Sequence, residues 1–223
     1  MATLIQQFET ALGAIAPDDI FRAAGVVEAG AGFDFEAEML GLTEAAAVRR
    51  DEFIAGRRCA RAALLRGGED LVALPRNAMG LPEWPTDWLG SISHSKQLAC
   101  AVAARKTDFA MLGIDLEKTT RISPAAMRKV LHPSEAAWVG NDQRMGSLLF
   151  SIKEAFFKAQ YPVIGAQPGF QDLAFTMDAE AGRLYPVEQG GTMPEALRSA
   201  IEGMDFRFRL FDDYVVSLCW LRT

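Results

Sequence analysis

Apolar residues return every three to four positions between residues 147 and 161. Leu148, Leu149, Ile152, Ala155, Phe156 and Ala159 fall on one arc of a helical wheel. That spacing predicts a helix ending near Tyr161-Pro162, with Glu154 and Lys158 four apart on its other side. A second helix is predicted from Thr43, its N-cap, to Arg66, with a stop at Gly67-Gly68. Its wheel holds a conflict, because Arg50, Arg57 and Arg61 share a face with Phe53, Ile54 and Leu64. His132-Pro133-Ser134-Glu135 opens a short third helix, with His132 in a structural place before the proline. Strand-like runs cover 98–104 and 109–117 on either side of the polar break Arg105-Lys106-Thr107-Asp108. Residues 206–211 and 214–221 read as alternating or buried strands. Residues 75–90, rich in Pro, Gly and Trp, read as an ordered loop. The first 42 residues show only scattered turn signals, and 163–223 read as strands and turns. The pattern is that of a mixed α+β (α/β) chain whose candidate lobe boundary lies at 105–108.

Composition narrows the function. The chain has 223 residues, 50% of them apolar and 23% charged, enough for a sizeable core in one large domain or two small ones. A net charge of -6 argues against a nucleic-acid binder, which needs a basic surface. The exception is local, since six arginines lie between Arg49 and Arg66. Cys59, Cys100 and Cys219 form no Cys-x-x-Cys pair, which suits a reducing compartment and offers no metal or disulfide framework. The first ten residues lack the basic start of a signal peptide, and no apolar run approaches the ~20 residues of a membrane span. The expectation is a soluble, cytoplasmic protein.

Four groups of residues carry candidate chemistry, each with a plainer reading beside it. Asp115 and Glu117 project from one face of a strand, where two carboxylates repel unless a cation lies between them. Oxygen ligands of that kind suit Mg²⁺; a solvated strand end is the plain alternative. The arginine face is either a set of snorkelling side chains or an anion pocket at the edge of the core. Ser93-His94 is no Ser–His–Asp triad, because neighbours on an extended chain point to opposite faces, and taken alone the dipeptide favours a capped or surface histidine over a catalytic one. Glu154 and Lys158 make either an ordinary i,i+4 pair or two groups facing a common ligand. No glycine-rich phosphate loop is present. Together the set suits Mg²⁺-assisted transfer from a polyphosphate substrate, with the attacking group brought by a second substrate.

Gly113-Ile-Asp-Leu-Glu117, Phe150-Ser-Ile-Lys-Glu-Ala-Phe-Phe-Lys158 and Gly90-Ser-Ile-Ser-His94 resemble the signature motifs of the 4′-phosphopantetheinyl transferase superfamily. Phe53-Ile-Ala-Gly-Arg57 with Ala60-Arg61, Leu81-Pro-Glu-Trp-Pro85 and Lys158-Ala-Gln-Tyr-Pro162 resemble its large, Sfp-like branch, that of enterobactin synthetase component D. The resemblance runs from about residue 45 to 175.

It implies two similar lobes related by a pseudo-twofold axis, 1–106 and 107–223, with coenzyme A and Mg²⁺ between them. The implied reaction moves 4′-phosphopantetheine from coenzyme A to a serine of an apo acyl or peptidyl carrier protein and releases adenosine 3′,5′-bisphosphate. Asp115, Glu117 and Glu154 match the metal positions, and Glu154 and Lys158 the catalytic ones. Arg57, Ser93, His94, Lys153 and Lys158 match coenzyme-binding positions, with His94 near the 3′-phosphate and Arg50 and Arg61 as helpers in coenzyme binding. The branch implies a cytoplasmic monomer serving nonribosomal peptide, siderophore or polyketide carriers, with no nucleic acid and no membrane span. Where some branches carry a lysine before the proline, this chain has Leu81, so a phosphate contact is expected from elsewhere. Phe150 replaces a frequent Trp, and Ser151-Ile152 a usual Ser-Ala. A non-catalytic coenzyme A or carrier-binding module and a Mg²⁺-dependent nucleotide diphosphate hydrolase are the competing readings.

Overall fold

A computed structural model describes residues 2–39, 42, 46–191 and 193–223. Among these residues six α-helices, α1 (Leu4–Ile15), α2 (Ala47–Arg66), α3 (Pro124–Val130), α4 (Pro133–Val139), α5 (Gln143–Ile164) and α6 (Glu195–Gly203), accompany eight strands. The strands are β1 (Phe21–Val26), β2 (Trp88–Ser95), β3 (Leu98–Arg105), β4 (Phe109–Lys118), β5 (Leu173–Asp178), β6 (Arg183–Gln189), β7 (Asp205–Phe211) and β8 (Tyr214–Arg222). They form two antiparallel sheets, one of order β1-β3-β2 and one of order β4-β8-β7-β6-β5.

Each sheet carries one long helix. α2 lays Ala55, Cys59, Ala60, Ala63 and Leu64 on the alanine-rich β3, where Ala99, Ala101 and Ala103 leave room for close approach. α5 lays Leu148, Leu149, Ile152, Ala155, Phe156 and Ala159 on the larger sheet, the arc read from the sequence. Its N-cap is Asp142, and it ends at Gly165, which takes a left-handed φ of 71°. Pro162 sits in its last turn and does not stop it. Thr43, the expected cap of α2, lies outside the described residues.

Three stretches differ from the sequence reading. Residues 1–42 hold α1 and β1. Thr3 and Gln6 make a capping box, and Phe8, Ala11, Leu12 and Ile15 form a buried stripe. The segment 163–223 includes α6, buried through Leu197, Ala200 and Ile201. The Trp-Pro loop ends earlier than residue 90, because β2 already begins at Trp88. α1 also crosses the expected division at residue 106. It packs on the far side of the larger sheet, with Phe8 stacked on Phe211 at 4.9 Å between ring centroids.

The two sheets meet where β2 runs beside β4. The join is made by side chains rather than by a backbone ladder. Ser91 Oγ accepts from Ile114 N and Ser93 Oγ from Leu116 N, each at 3.1 Å. β8 pairs with the other edge of β4, and on one face Gly113 lets α5 approach: a Cβ there would collide with the Ala155 carbonyl and come within 2.7 Å of Ala159 N. The strand bearing Asp115 and Glu117 is thus held between β2 and α5.

Candidate active site at the junction of the sheets

Asp115 lies almost fully buried between the two elements that flank its strand. Lys158, one turn beyond Glu154 on α5, donates to Asp115 Oδ1 at 2.7 Å and to Ser93 Oγ at 3.1 Å. Ser93 Oγ in turn donates to Asp115 Oδ1 at 3.0 Å. The i,i+4 lysine therefore reaches across to Asp115 rather than back to Glu154. Asp115 Oδ2 is buried with no hydrogen-bond partner. Glu117 Oε2 receives Ser95 Oγ at 3.3 Å, and its Oε1 receives Arg121 Nε at 3.1 Å.

These acids perturb one another. Burial, then the charge of Asp115, raises the pKa of Glu117 above the ordinary glutamate range despite Arg121. The same two causes, in that order, raise Glu154 against the opposing charges of Lys158 and Arg121. Burial alone would depress the Lys158 ammonium. The charge and hydrogen bond of Asp115, with Glu154, outweigh it and hold Lys158 above its usual value. The result is a surplus of carboxylate charge around one lysine.

The donors fit a hard divalent cation in kind, being three carboxylates with one buried oxygen unclaimed. They are not gathered around one point: among the described residues, no three His, Cys, Asp or Glu side chains stand ready to hold a metal ion. Lys158 balances Asp115 in this arrangement, and Glu117 and Glu154 would have to turn toward it to complete a ligand set.

Ser93 and His94 diverge, as neighbours on a strand must. Ser93 faces the acids, and His94 faces a basic pocket of ≈ 300 Å³ lined by Arg49, Phe53, Arg57, Arg76 and Ile92. Arg57 lies over the Phe53 ring at 4.2 Å from its centroid, and Arg76 at 5.7 Å. Burial pushes the Arg57 guanidinium down to about 10. The positive charges of Arg76 and Arg61 add to this, and Glu38 opposes it. A guanidinium stays protonated, so the shift reflects the burial of its charge, and Arg57 Nε donates to the Leu74 carbonyl at 2.6 Å. His94 is held below the ordinary histidine value by desolvation, against Glu52, whose carboxylate lies 3.4 Å from its Nδ1.

Three expected coenzyme contacts are placed elsewhere. Lys153 is buried, its ammonium 2.5 Å from Glu135 and 3.0 Å from the Val130 carbonyl, because five residues of helix turn it away from Lys158. Arg61 is buried in a pair with Glu38 at 2.5 Å and with Asp34. Arg50 does not line the basic pocket; Arg49, the residue before it, does. The sequence reading also missed Arg76, which stands with Gly80 and Pro82 where the lysine absent at Leu81 was to be replaced. His132 is structural as expected, accepting from Ser134 N within a capping box that includes Glu135. A third feature is an apolar cleft of ≈ 670 Å³ beside Lys158, lined by Met79, Leu81, Trp84, Phe157, Tyr161 and Val163.

A basic pocket, a lysine paired with a buried acid and an apolar cleft meet where the two sheets join. The chain belongs to the 4′-phosphopantetheinyl transferase superfamily. The model of the 4′-phosphopantetheinyl transferase N-terminal domain matches residues 35–104, and that of the superfamily matches 111–219. It is similar to the 4′-phosphopantetheinyl transferase Svp of Streptomyces mobaraensis, 36% identical over 154 residues, 66% of this chain and 63% of that protein. It is also similar to the 4′-phosphopantetheinyl transferase Npt of Nocardia iowensis, 34% identical over 137 residues, 60% of this chain and 62% of that one. The chain thus spans a little under two thirds of the curated relatives it matches. A solved holo-ACP-synthase from Plasmodium yoelii aligns with a TM-score of 0.40 and 17% identity over 51% of this chain and 94% of its own. At that level it adds nothing to the fold assignment.

Proposed function

We propose that the chain transfers 4′-phosphopantetheine from coenzyme A to a serine hydroxyl of an apo acyl or peptidyl carrier protein, releasing adenosine 3′,5′-bisphosphate. The observation that carries this reading is the divergence of Ser93 and His94 on β2. It sets the acid–lysine cluster and the basic pocket on opposite faces of one strand. A ligand with two phosphate groups some distance apart can reach both. Arg49, Arg57, Arg76 and His94 take the nucleotide's 3′-phosphate, and Lys158 takes the pyrophosphate. The apolar cleft beside Lys158 accepts the neutral pantetheine arm.

In the reaction the carrier's serine oxygen attacks the phosphorus that bears pantetheine. The bond from that phosphorus to the bridging pyrophosphate oxygen breaks, and the nucleotide leaves with the electron pair. Glu154, whose carboxylate burial and Asp115 make more basic, accepts the serine proton. Lys158 faces the charge that builds on the leaving oxygen and is already oriented by Asp115 and Ser93. Asp115, Glu117 and Glu154 are the residues that would hold Mg²⁺, which when bound shields the pyrophosphate charge.

The carriers fitting this reading are those of nonribosomal peptide, siderophore or polyketide synthesis, and the enzyme acts as a cytoplasmic monomer. Cys59, Cys100 and Cys219, all free and buried, are in keeping with a reducing compartment. Among the described residues, no helix is long and apolar enough to cross a membrane.

The test is to incubate the protein with coenzyme A, Mg²⁺ and a panel of apo carriers and to weigh the carriers. One phosphopantetheine added to one serine is the expected outcome. Release of adenosine 3′,5′-bisphosphate with no carrier gaining mass makes the protein a hydrolase. Tight coenzyme binding with neither product makes it a binding module.

A further inference from the structure

Ser93 was expected at the coenzyme's phosphates, but its hydroxyl is already fully engaged. A serine hydroxyl has one hydrogen to give and two lone pairs to offer. Ser93 Oγ accepts from Leu116 N at 3.1 Å and from Lys158 Nζ at 3.1 Å, and it gives its hydrogen to Asp115 Oδ1 at 3.0 Å. A phosphate oxygen only accepts, so it could bind Ser93 only by taking the hydrogen from Asp115. That carboxylate is buried and already has one oxygen without a partner.

A serine–carboxylate contact recurs two residues on, where Ser95 Oγ lies 3.3 Å from Glu117 Oε2. Ser93 and Ser95 are two apart on β2, and Asp115 and Glu117 are two apart on β4. Both pairs therefore lie on single strand faces that meet at the junction of the sheets.

We propose that Ser93 and Ser95 are positioning residues, one for each acid, which orient Asp115 and Glu117 from the neighbouring sheet and do not bind phosphate. Ser93 bonds the backbone of β4 and one of its carboxylates with a single hydroxyl. Any shift of one sheet against the other therefore moves the acid it holds. The Ser-His dipeptide divides its labour, the serine serving the acids and the histidine the basic pocket. This inference rests on the transferase reading, in which the acids hold a divalent cation and the pocket a nucleotide.

Two titrations on the full chain test it, neither of which uses turnover. Mn²⁺ binding without nucleotide is followed by electron paramagnetic resonance, and binding of adenosine 3′,5′-bisphosphate by calorimetry in EDTA. Ser93→Ala is expected to weaken Mn²⁺ binding by about ten-fold or more, the usual cost of losing a partner behind a metal ligand. It should leave the nucleotide affinity within about two-fold of the unaltered protein, while Ser93→Thr, which keeps the hydroxyl, restores Mn²⁺ binding. Ser95→Ala should give a smaller loss of the same kind. Ser91→Ala, which removes a similar bond to β4 but touches no acid, should change neither titration.

The proposal is overturned if Ser93→Ala loses nucleotide affinity and keeps Mn²⁺, or if Ser91→Ala weakens Mn²⁺ as much as Ser93→Ala does. Should Ser93→Ala not fold, a crystal structure of the unaltered chain with adenosine 3′,5′-bisphosphate decides. Ser93 Oγ still bonded to Asp115, with no phosphate oxygen on it, supports the proposal; a phosphate oxygen on Ser93 Oγ overturns it. If the unaltered chain binds neither Mn²⁺ nor the nucleotide, the transferase reading itself fails and takes the proposal with it.

Discussion

Arg57 and Arg61 on α2, and Lys153 and Lys158 on α5, lie within a few residues of each other, and in each pair the two have opposite fates. On α2, Arg61 is closed off by Glu38 at 2.5 Å, while Arg57 lines the basic pocket. On α5, Lys153 is closed off by Glu135 at 2.5 Å, while Lys158 enters the acid cluster. The closing glutamates are nearly or fully buried, and both come from segments distant in sequence. Charge type and helical position therefore do not assign a role here. The role follows from whether the counter-ion is private to the core. Arg61 and Lys153 meet carboxylates closed inside the fold, whereas Lys158 meets Asp115 within the acid cluster and Arg57 lines the basic pocket.

Breaking the private pairs should damage stability before anything else. Glu135→Ala is expected to have the largest effect. It leaves the Lys153 charge unpaired and removes the acceptor of His132 N and Phe175 N, each at 2.9 Å. The loss should be about 3–5 kcal/mol by urea unfolding; a loss under about 1 kcal/mol would remove Lys153 from the structural class. Glu38→Ala should cost less, about 2 kcal/mol, because Arg61 keeps Asp34 even as Leu74 N loses its acceptor.

Arg57→Ala sharpens the contrast from the other side. It should weaken adenosine 3′,5′-bisphosphate binding about ten-fold, ~1.4 kcal/mol, as read by calorimetry. Unchanged affinity would place the nucleotide elsewhere.

The smallest effect concerns pH. Glu154 has a raised pKa in the folded protein, so the native state binds more protons than the unfolded chain above the ordinary glutamate value of 4.5. Stability in EDTA should fall as pH climbs from there through the raised pKa. Glu154→Gln should flatten that fall, gaining less than about 1 kcal/mol near pH 7 because the group is partly solvated. It should also abolish transfer. A melting temperature that tracks the unaltered protein at every pH would show that Glu154 carries no such strain.

Legibility followed the range of the interactions. α5 and α2 could be read because their apolar arcs extend over several turns, and the placing of Asp115 and Glu117 on a strand and of Glu154 and Lys158 on a helix because their spacing is local. α1 was also written in the sequence, in the spacing of Phe8, Ala11, Leu12 and Ile15 behind Thr3. Pro17-Asp18-Asp19 and the glycines at 30 and 32 masked it as a region of turns. α6 was missed the same way, its stripe of Leu197, Ala200 and Ile201 being short. The fates of Lys153 and Arg61 were not legible, since Glu135 and Glu38 meet them only in the folded chain. Arg76 was hidden for a similar reason. It lies in a loop that turns through Gly80, at a positive φ of 79°, before returning past Pro82 to the pocket.

The most direct measurement pairs the two lysines of α5. Lys158→Ala and Lys153→Met are compared for the rate of phosphopantetheine transfer to an apo carrier and, in the same preparations, for urea unfolding. Lys158→Ala should slow transfer by about 10²–10³. Because the Lys158 side chain is 29% exposed against 3% for Lys153, it should also cost less stability than Lys153→Met, even though it leaves Asp115 without its cation. The Lys153→Met protein should lose about 3–5 kcal/mol, while its molecules that remain folded keep a near-normal rate. A stable Lys153→Met protein that has lost transfer, beside a Lys158→Ala protein that has kept it, would contradict the account.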